Sequence, residues 1–358
     1  MDLHGAIRFW LSPIGRELFS PGSILSIYSL ATTFCVAVLA LALRRRARRG
    51  RANLRAIARA IFNWRLLRHD SFYADVKLVI VSVIIAPPIL ASLAISANSV
   101  AWVVSSTLKS AFGPIWPLTG HDAAMRAMST LALFLAYEIG YFVDHYLKHR
   151  VPFLWELHKV HHTAEVLTPL TNYRNHPLDN VIFGYMLALF IGGASGVLAW
   201  IFDRKTDIIS IDGKNIIFLV FLWSIGHLQH SQFWIPFGGI WGRIFLSPAH
   251  HQIHHSADPK HFNRNFGSVL AVWDRMAGTL ETPTTENPRL SYGAREERAD
   301  AHSWAGFLVT PLVGAALASW RGLVAAGIIS APAKLPRRPL AGQRFDGAES
   351  ADLTGIAE

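Results

Sequence analysis

The sequence predicts an all-α integral membrane protein, with about four to five transmembrane helices and a cytoplasmic helical cap that holds a histidine-rich dimetal site. Three observations predict it. Charged residues make up 16% of the 358 positions and hydrophobic ones 51%, where soluble domains carry roughly 25% charged residues. Two uncharged runs, residues 23–43 and 78–108, are 21 and 31 residues long, and about 20 apolar residues of helix cross a bilayer core. Finally, thirteen of the 17 histidines fall between His145 and His261.

The net charge of +10 does not point to nucleic acid. Its densest cluster, RRRARRGRANLR at residues 44–55, directly follows the first apolar run. A basic block in that position is a positive-inside signal and a contact with anionic lipid head groups. The single cysteine, Cys35, lies inside the first run, so neither a disulfide framework nor a cysteine metal site is expected. No cleavable signal peptide is expected, because the residues before 23 lack a basic start and the first apolar run is long.

With the basic block placed in the cytoplasm, the elements follow in order. The first run leads inward and the second outward, with Pro87 and Pro88 expected to kink or break it. A polar link containing Lys109, Gly113, Pro114, Pro117 and Gly120 follows. Residues 127–143, with Glu138 as the only charge, return the chain and deliver DHYLKH at 144–149. Residues 181–202 lead outward, and DRKTDIISIDGK turns the chain. Residues 215–226 bring it back to HLQH at 227–230, on a helix expected to extend beyond the membrane. The uncharged run 303–320, interrupted by Pro311, is expected either to span or, by preference, to lie along the interface, and the small, polar end at 341–358 to be disordered. All the histidine groups then end on one side.

Helix positions i, i+3 and i+4 share a face. That groups His145 with His149, His158 with His161 and His162, His227 with His230, and His251 with His254 and His255. Ten imidazoles exceed the about four to six ligands of one transition ion and suit two. Imidazole alone leaves Zn, Cu, Fe and Ni open. A haem would need facing histidines within the spans, and the carboxylate pattern of soluble diiron bundles is absent. Storage, metal transport and metal-dependent lipid hydrolysis are the rival, non-redox readings. A transporter should carry ionisable residues at the midplane of its spans, where Glu138 stands nearly alone.

DHYLKH, HKVHH and HHQIHH resemble the three histidine boxes (HxxxH, HxxHH, HxxHH) of the membrane fatty acid hydroxylase/sterol desaturase superfamily. FNRNFGSVLAVWDRMAGT, residues 262–279, resembles the Asn-x-Gly…Trp-Asp-Arg…Gly-Thr stretch that follows the last box. The resemblance covers residues 133–281, about 40% of the chain. MAG stands where a bulkier apolar pair is common, and the N-terminal and C-terminal portions match no pattern.

The resemblance implies two iron ions, O₂ as co-substrate, and hydroxylation or desaturation of a lipid (fatty acyl, sterol or related). It implies ligation by His145, His149, His158, His161, His162, His251, His254 and His255, with His230 as an additional ligand and His227 beside it. It divides the chain into a membrane region at 1–120, a catalytic domain at 121–282 and a C-terminal region at 283–358. Without an iron–sulfur cysteine set or a Rossmann fingerprint, the chain needs a separate electron donor, whether ferredoxin, cytochrome or reductase. Asp144, and His176 with its neighbours Asn172 and Asp179, are expected to orient ligand rings, or else to serve as caps and turns. Asp274 and Arg275 are expected to form a bracing ion pair, and Lys260 and His261 to lie on the surface. His250, about 100° around the helix from its ligating neighbour, is expected not to ligate.

Overall fold

The computed structural model describes residues 14–49, 54–90, 93, 95–115, 122–294 and 301–329. The expectation of a disordered end at 341–358 lies outside the described residues, as do Pro117 and Gly120 of the polar link. The chain is mostly helical. Helix α1 (Ile27–Arg49) is followed by α2 (Asp70–Ile80), a π-helical turn at Val81–Ile85, and α3 (Ala86–Leu90). Next come α4 (Ala97–Phe112), the long α5 (Asp122–Arg150), α6 (Pro152–His162) and α7 (Pro177–Ile201). A two-stranded antiparallel hairpin, β1 (Ser210–Ile211) and β2 (Lys214–Asn215), turns through Asp212 and Gly213, both at positive φ. It leads into α8 (Ile216–Ser224). The last helices are α9 (Pro248–His254), α10 (Val272–Ala277) and α11 (Thr310–Ala325).

Among the described residues, three helical stretches are long and apolar enough to cross a membrane: Ile27–Arg46, Pro177–Ile201 and Trp304–Ala325. The last falls on the run expected either to span or to lie along the interface. Pro311 sits in the first turn of α11, where its missing N–H costs no hydrogen bond. The run 78–108 is split instead. A π-turn precedes the two prolines, α3 ends at Leu90, and α4 starts afresh behind the Ser96 cap. The 16 residues of α4 span about 24 Å, short of a roughly 30 Å bilayer core. Helix α8 has only nine residues and tightens into a 3₁₀ turn, Gly226–His230, so HLQH does not ride on an extended α-helix.

Close helix packing fixes the frame around the histidines. Helix α7 lies against α4 through Gly192 and Gly196, where an added Cβ would stand 2.6 Å from the Ala97 carbonyl and 2.7 Å from that of Ala101. Only glycine permits that approach. On its other side α7 packs along α5, while α6 packs against α11. Helix α1 runs beside the same region, with Ser29 bonded to His227 and Arg44 to the Trp234 carbonyl.

A buried ion pair fastens α2 to the end of α6. Arg174 and Asp75 are fully buried and 2.9 Å apart. Arg174 also donates to the carbonyls of Ser71 and Val160 and to the Thr163 hydroxyl, while Asp75 accepts from Thr168 and Thr171. These added bonds offset the desolvation that burying two charges costs.

Candidate metal centre

Nine of the ten predicted histidines gather into two adjoining groups. His145, His149, His158, His162 and His254 form one, and His161, His230, His251 and His255 the other, with ligand atoms within 4.8 Å of one another in each group. His145 and His149 are one turn apart near the end of α5. The two boxes of identical spacing then interleave. α6 sends His158 and His162 to the first group and His161 to the second, whereas α9 and its cap send His251 and His255 to the second and His254 to the first. On an α-helix, i and i+4 differ by about 40° while i+3 lies about 60° to the other side. One helix edge can therefore serve two neighbouring centres.

The ring nitrogens show whether a metal fits. In the five-histidine group every Nε2 is buried without a protein partner. Three of the opposite nitrogens are held: His145 Nδ1 lies 2.8 Å from the Phe266 carbonyl, His254 Nδ1 2.8 Å from that of Arg264, and His158 Nδ1 3.2 Å from Asp179. An Nδ1–H donated to an oxygen leaves a bare lone pair on Nε2, the ligating form. In the four-histidine group, His230 Nε2 stands 3.1 Å from His161 Nε2, 3.1 Å from His255 Nε2 and 3.0 Å from His251 Nε2. Neutral imidazoles cannot all satisfy one another in that arrangement. At metal–nitrogen distances of about 2.1 Å, ligands at right angles stand about 3.0 Å apart. The donor set fits metal ions.

Burial first, and neighbouring imidazoles after it, lower the pKa values of His230 and His254 to about 3. Metal binding near neutral pH therefore displaces no proton from them.

The loop after the third box supplies two of the holding oxygens. Asn263 and Asn265 adopt left-handed φ of 59° and 55°, a region that asparagine tolerates better than most residues. Asn265 donates to the carbonyls of His250 and Glu281 and accepts from Glu281 N–H. The Asp274 carboxylate accepts from Phe266 N–H at 2.8 Å, Gly267 N–H at 2.8 Å and the Thr279 hydroxyl at 2.6 Å. This corrects the expected Asp274–Arg275 ion pair, since the carboxylate is engaged by the loop and Arg275 is exposed.

Other expectations resolve individually. His176 touches no clustered histidine: it caps α7, accepting from Leu178 N–H, and its Nε2 bonds the Leu308 carbonyl. Pro177 opens α7, so the residue before it is the natural cap. Asp179 meets His158 instead, and Asp144 acts at one remove. Lys148 Nζ lies 2.7 Å from Asp144 and 2.9 Å from Asp179, and all three are buried. His227 joins neither group; its Nε2 lies 2.7 Å from Ser29 Oγ. His250 is also outside both, with Nδ1 on Ser247 and Nε2 on the Gly242 carbonyl. Lys260 is exposed, but His261 is buried against Ser256. Sequence reasoning missed Asn265 and the carbonyls of Arg264 and Phe266. The left-handed asparagine of the N-x-G stretch was the available signal.

Comparison with known proteins agrees with this site. Residues 130–279 match the family described as fatty acid hydroxylase. Alkylglycerol monooxygenase of Homo sapiens is 29% identical over 171 residues, covering 45% of this chain and 32% of that protein. An ornithine lipid hydroxylase of Rhizobium tropici is 28% identical over 162 residues, covering 44% and 43%. Cholesterol 25-hydroxylase of Homo sapiens is 31% identical over 154 residues, covering 41% and 49%. The matched part thus spans about a third to a half of these relatives. No solved structure matches. All nine clustered histidines and the loop that orients two of them lie within 130–279, the segment that matches the fatty acid hydroxylase family.

Proposed function

We propose that this chain is an O₂-dependent membrane oxidoreductase that hydroxylates a lipid at an unactivated C–H bond. The observation that carries the reading is the pair of buried histidine groups whose free ring nitrogens converge. One iron would be held by His145, His149, His158, His162 and His254, the other by His161, His230, His251 and His255. When bound, the two irons supply the electrons and oxygen activation that C–H cleavage requires.

The chain's own residues do the rest. Neutral imidazoles bring no charge, so the centres stay electron-poor and favour a strong oxidant. Asp179 and the carbonyls of Arg264 and Phe266 fix three of the rings. Phe266 lies 5.1 Å from the His149 ring, Trp155 5.0 Å from the same ring, and Tyr141 5.7 Å from His145. These aromatic walls keep water from the site and suit an apolar lipid chain. Electrons come from a separate carrier at the cytoplasmic face, a side supported by the basic run at 44–55.

Mass spectrometry of lipids from cells with and without the gene tests this reading. A product one oxygen heavier is expected. A product lighter by two hydrogens makes the chain a desaturase, which shares the first C–H cleavage. An unchanged lipid profile, with the protein present and metal-loaded, refutes it.

A further inference from the structure

The two histidine groups are not equivalent. One offers five nitrogens and the other four. Three rings of the first are held through Nδ1 by an oxygen. In the second, the Nδ1 atoms of His161, His230 and His255 are buried without a partner. Partners of this kind typically change metal affinity about 10–100-fold.

Charge separates the groups further. Asp144, Lys148 and Asp179 form a buried chain that ends on His158 and carries one net negative charge. The buried pair nearest His161, Arg174 with Asp75, sums to zero. The groups also share a wall, with the His162 and His255 rings stacked 4.7 Å apart. A second divalent cation therefore enters against the charge of the first, with no carboxylate bonded to its own rings among the described residues.

We infer that metal loads in order, the five-histidine centre first and tightly, the four-histidine centre second and exchangeably. The inference rests on the dimetal reading above. Asp179 is then a positioning residue that sets this order through His158.

The test is an anaerobic titration of demetallated, full-length protein in detergent with Fe²⁺, bound metal being counted after equilibrium dialysis. Two steps separated by at least about tenfold are expected. His230→Ala should lose the weak step and keep the tight one. Asp179→Asn should weaken the tight step about 10–100-fold, with Asp179→Glu restoring part of it. If Asp179→Asn does not fold, His230→Ala decides, because its ring nitrogen meets only other clustered histidines. Two metals bound with equal affinity, or loss of the tight step in His230→Ala, overturns the order while leaving the dimetal reading of the wild-type protein in place. Fewer than two metals on the wild-type protein overturns the dimetal reading itself.

Discussion

Asp274→Asn should strip metal from the five-histidine centre although the residue touches no histidine of it. The carboxylate takes two backbone N–H groups and one hydroxyl at 2.6–2.8 Å, all buried. An asparagine offers one oxygen and must turn its NH₂ toward a remaining donor. It keeps either the Phe266 and Thr279 bonds or the Gly267 bond. Losing one charge-assisted bond and leaving one buried donor unmet costs about 2–4 kcal/mol. That cost falls on the loop whose carbonyls hold His145 and His254. Freed rings reduce metal affinity about 10–100-fold. Metal content after dialysis against a mild chelator, with thermal melting of the same sample, reads both effects. Arg275→Ala, which removes only an exposed side chain, should change neither. Full metal content and wild-type melting in Asp274→Asn would refute the reasoning, as would equal losses in Arg275→Ala.

Four further outcomes follow from the same contacts. His254→Ala should abolish turnover and release metal, whereas His250→Ala should keep its metal ligands yet lose about 2–4 kcal/mol through a cavity and unmet groups at Ser247 and Gly242, seen as a lower melting temperature. His176→Ala should cost about 1 kcal/mol as a lost helix cap, with metal content intact. His227→Ala should retain both metals, since its ring is engaged by Ser29; loss of one metal would make it a ligand. Burial depresses the His250 pKa to about 4, so the unfolded chain, titrating near 6.5, binds a proton that the folded one refuses. Its contribution to stability is therefore full above about pH 6.5 and declines as the pH falls toward 4. Melting curves of His250→Gln across that window should be flatter than wild type.

The histidine grouping was legible because helical period is local: spacing within α5, α6 and α9 already decides which rings share an edge. The split of each box between two centres was not, since it depends on how α6 and α9 face each other. His227 and His230 looked like a helical pair, but α8 ends at Ser224 and the following 3₁₀ turn sends one ring to Ser29 and the other to the site. His176 and Asp179 stood together in one expected group, and Pro177 separates their roles by opening a helix that takes His176 as its cap. The oxygens of Arg264 and Phe266 are backbone atoms, which no side-chain pattern reports. Apolar runs likewise gave helix content more readily than span number. The run at 78–108 passes through a π-turn ahead of its two prolines and its helix ends at Leu90, while Pro311 is harmless in a first turn.

The central claim, two irons on nine histidines in an O₂-dependent enzyme, meets its most direct test in metal analysis of anaerobically purified, active protein. The account predicts close to two irons per chain, with turnover rising and falling with iron content. One metal per chain, or stoichiometric zinc retained with full activity, would contradict it.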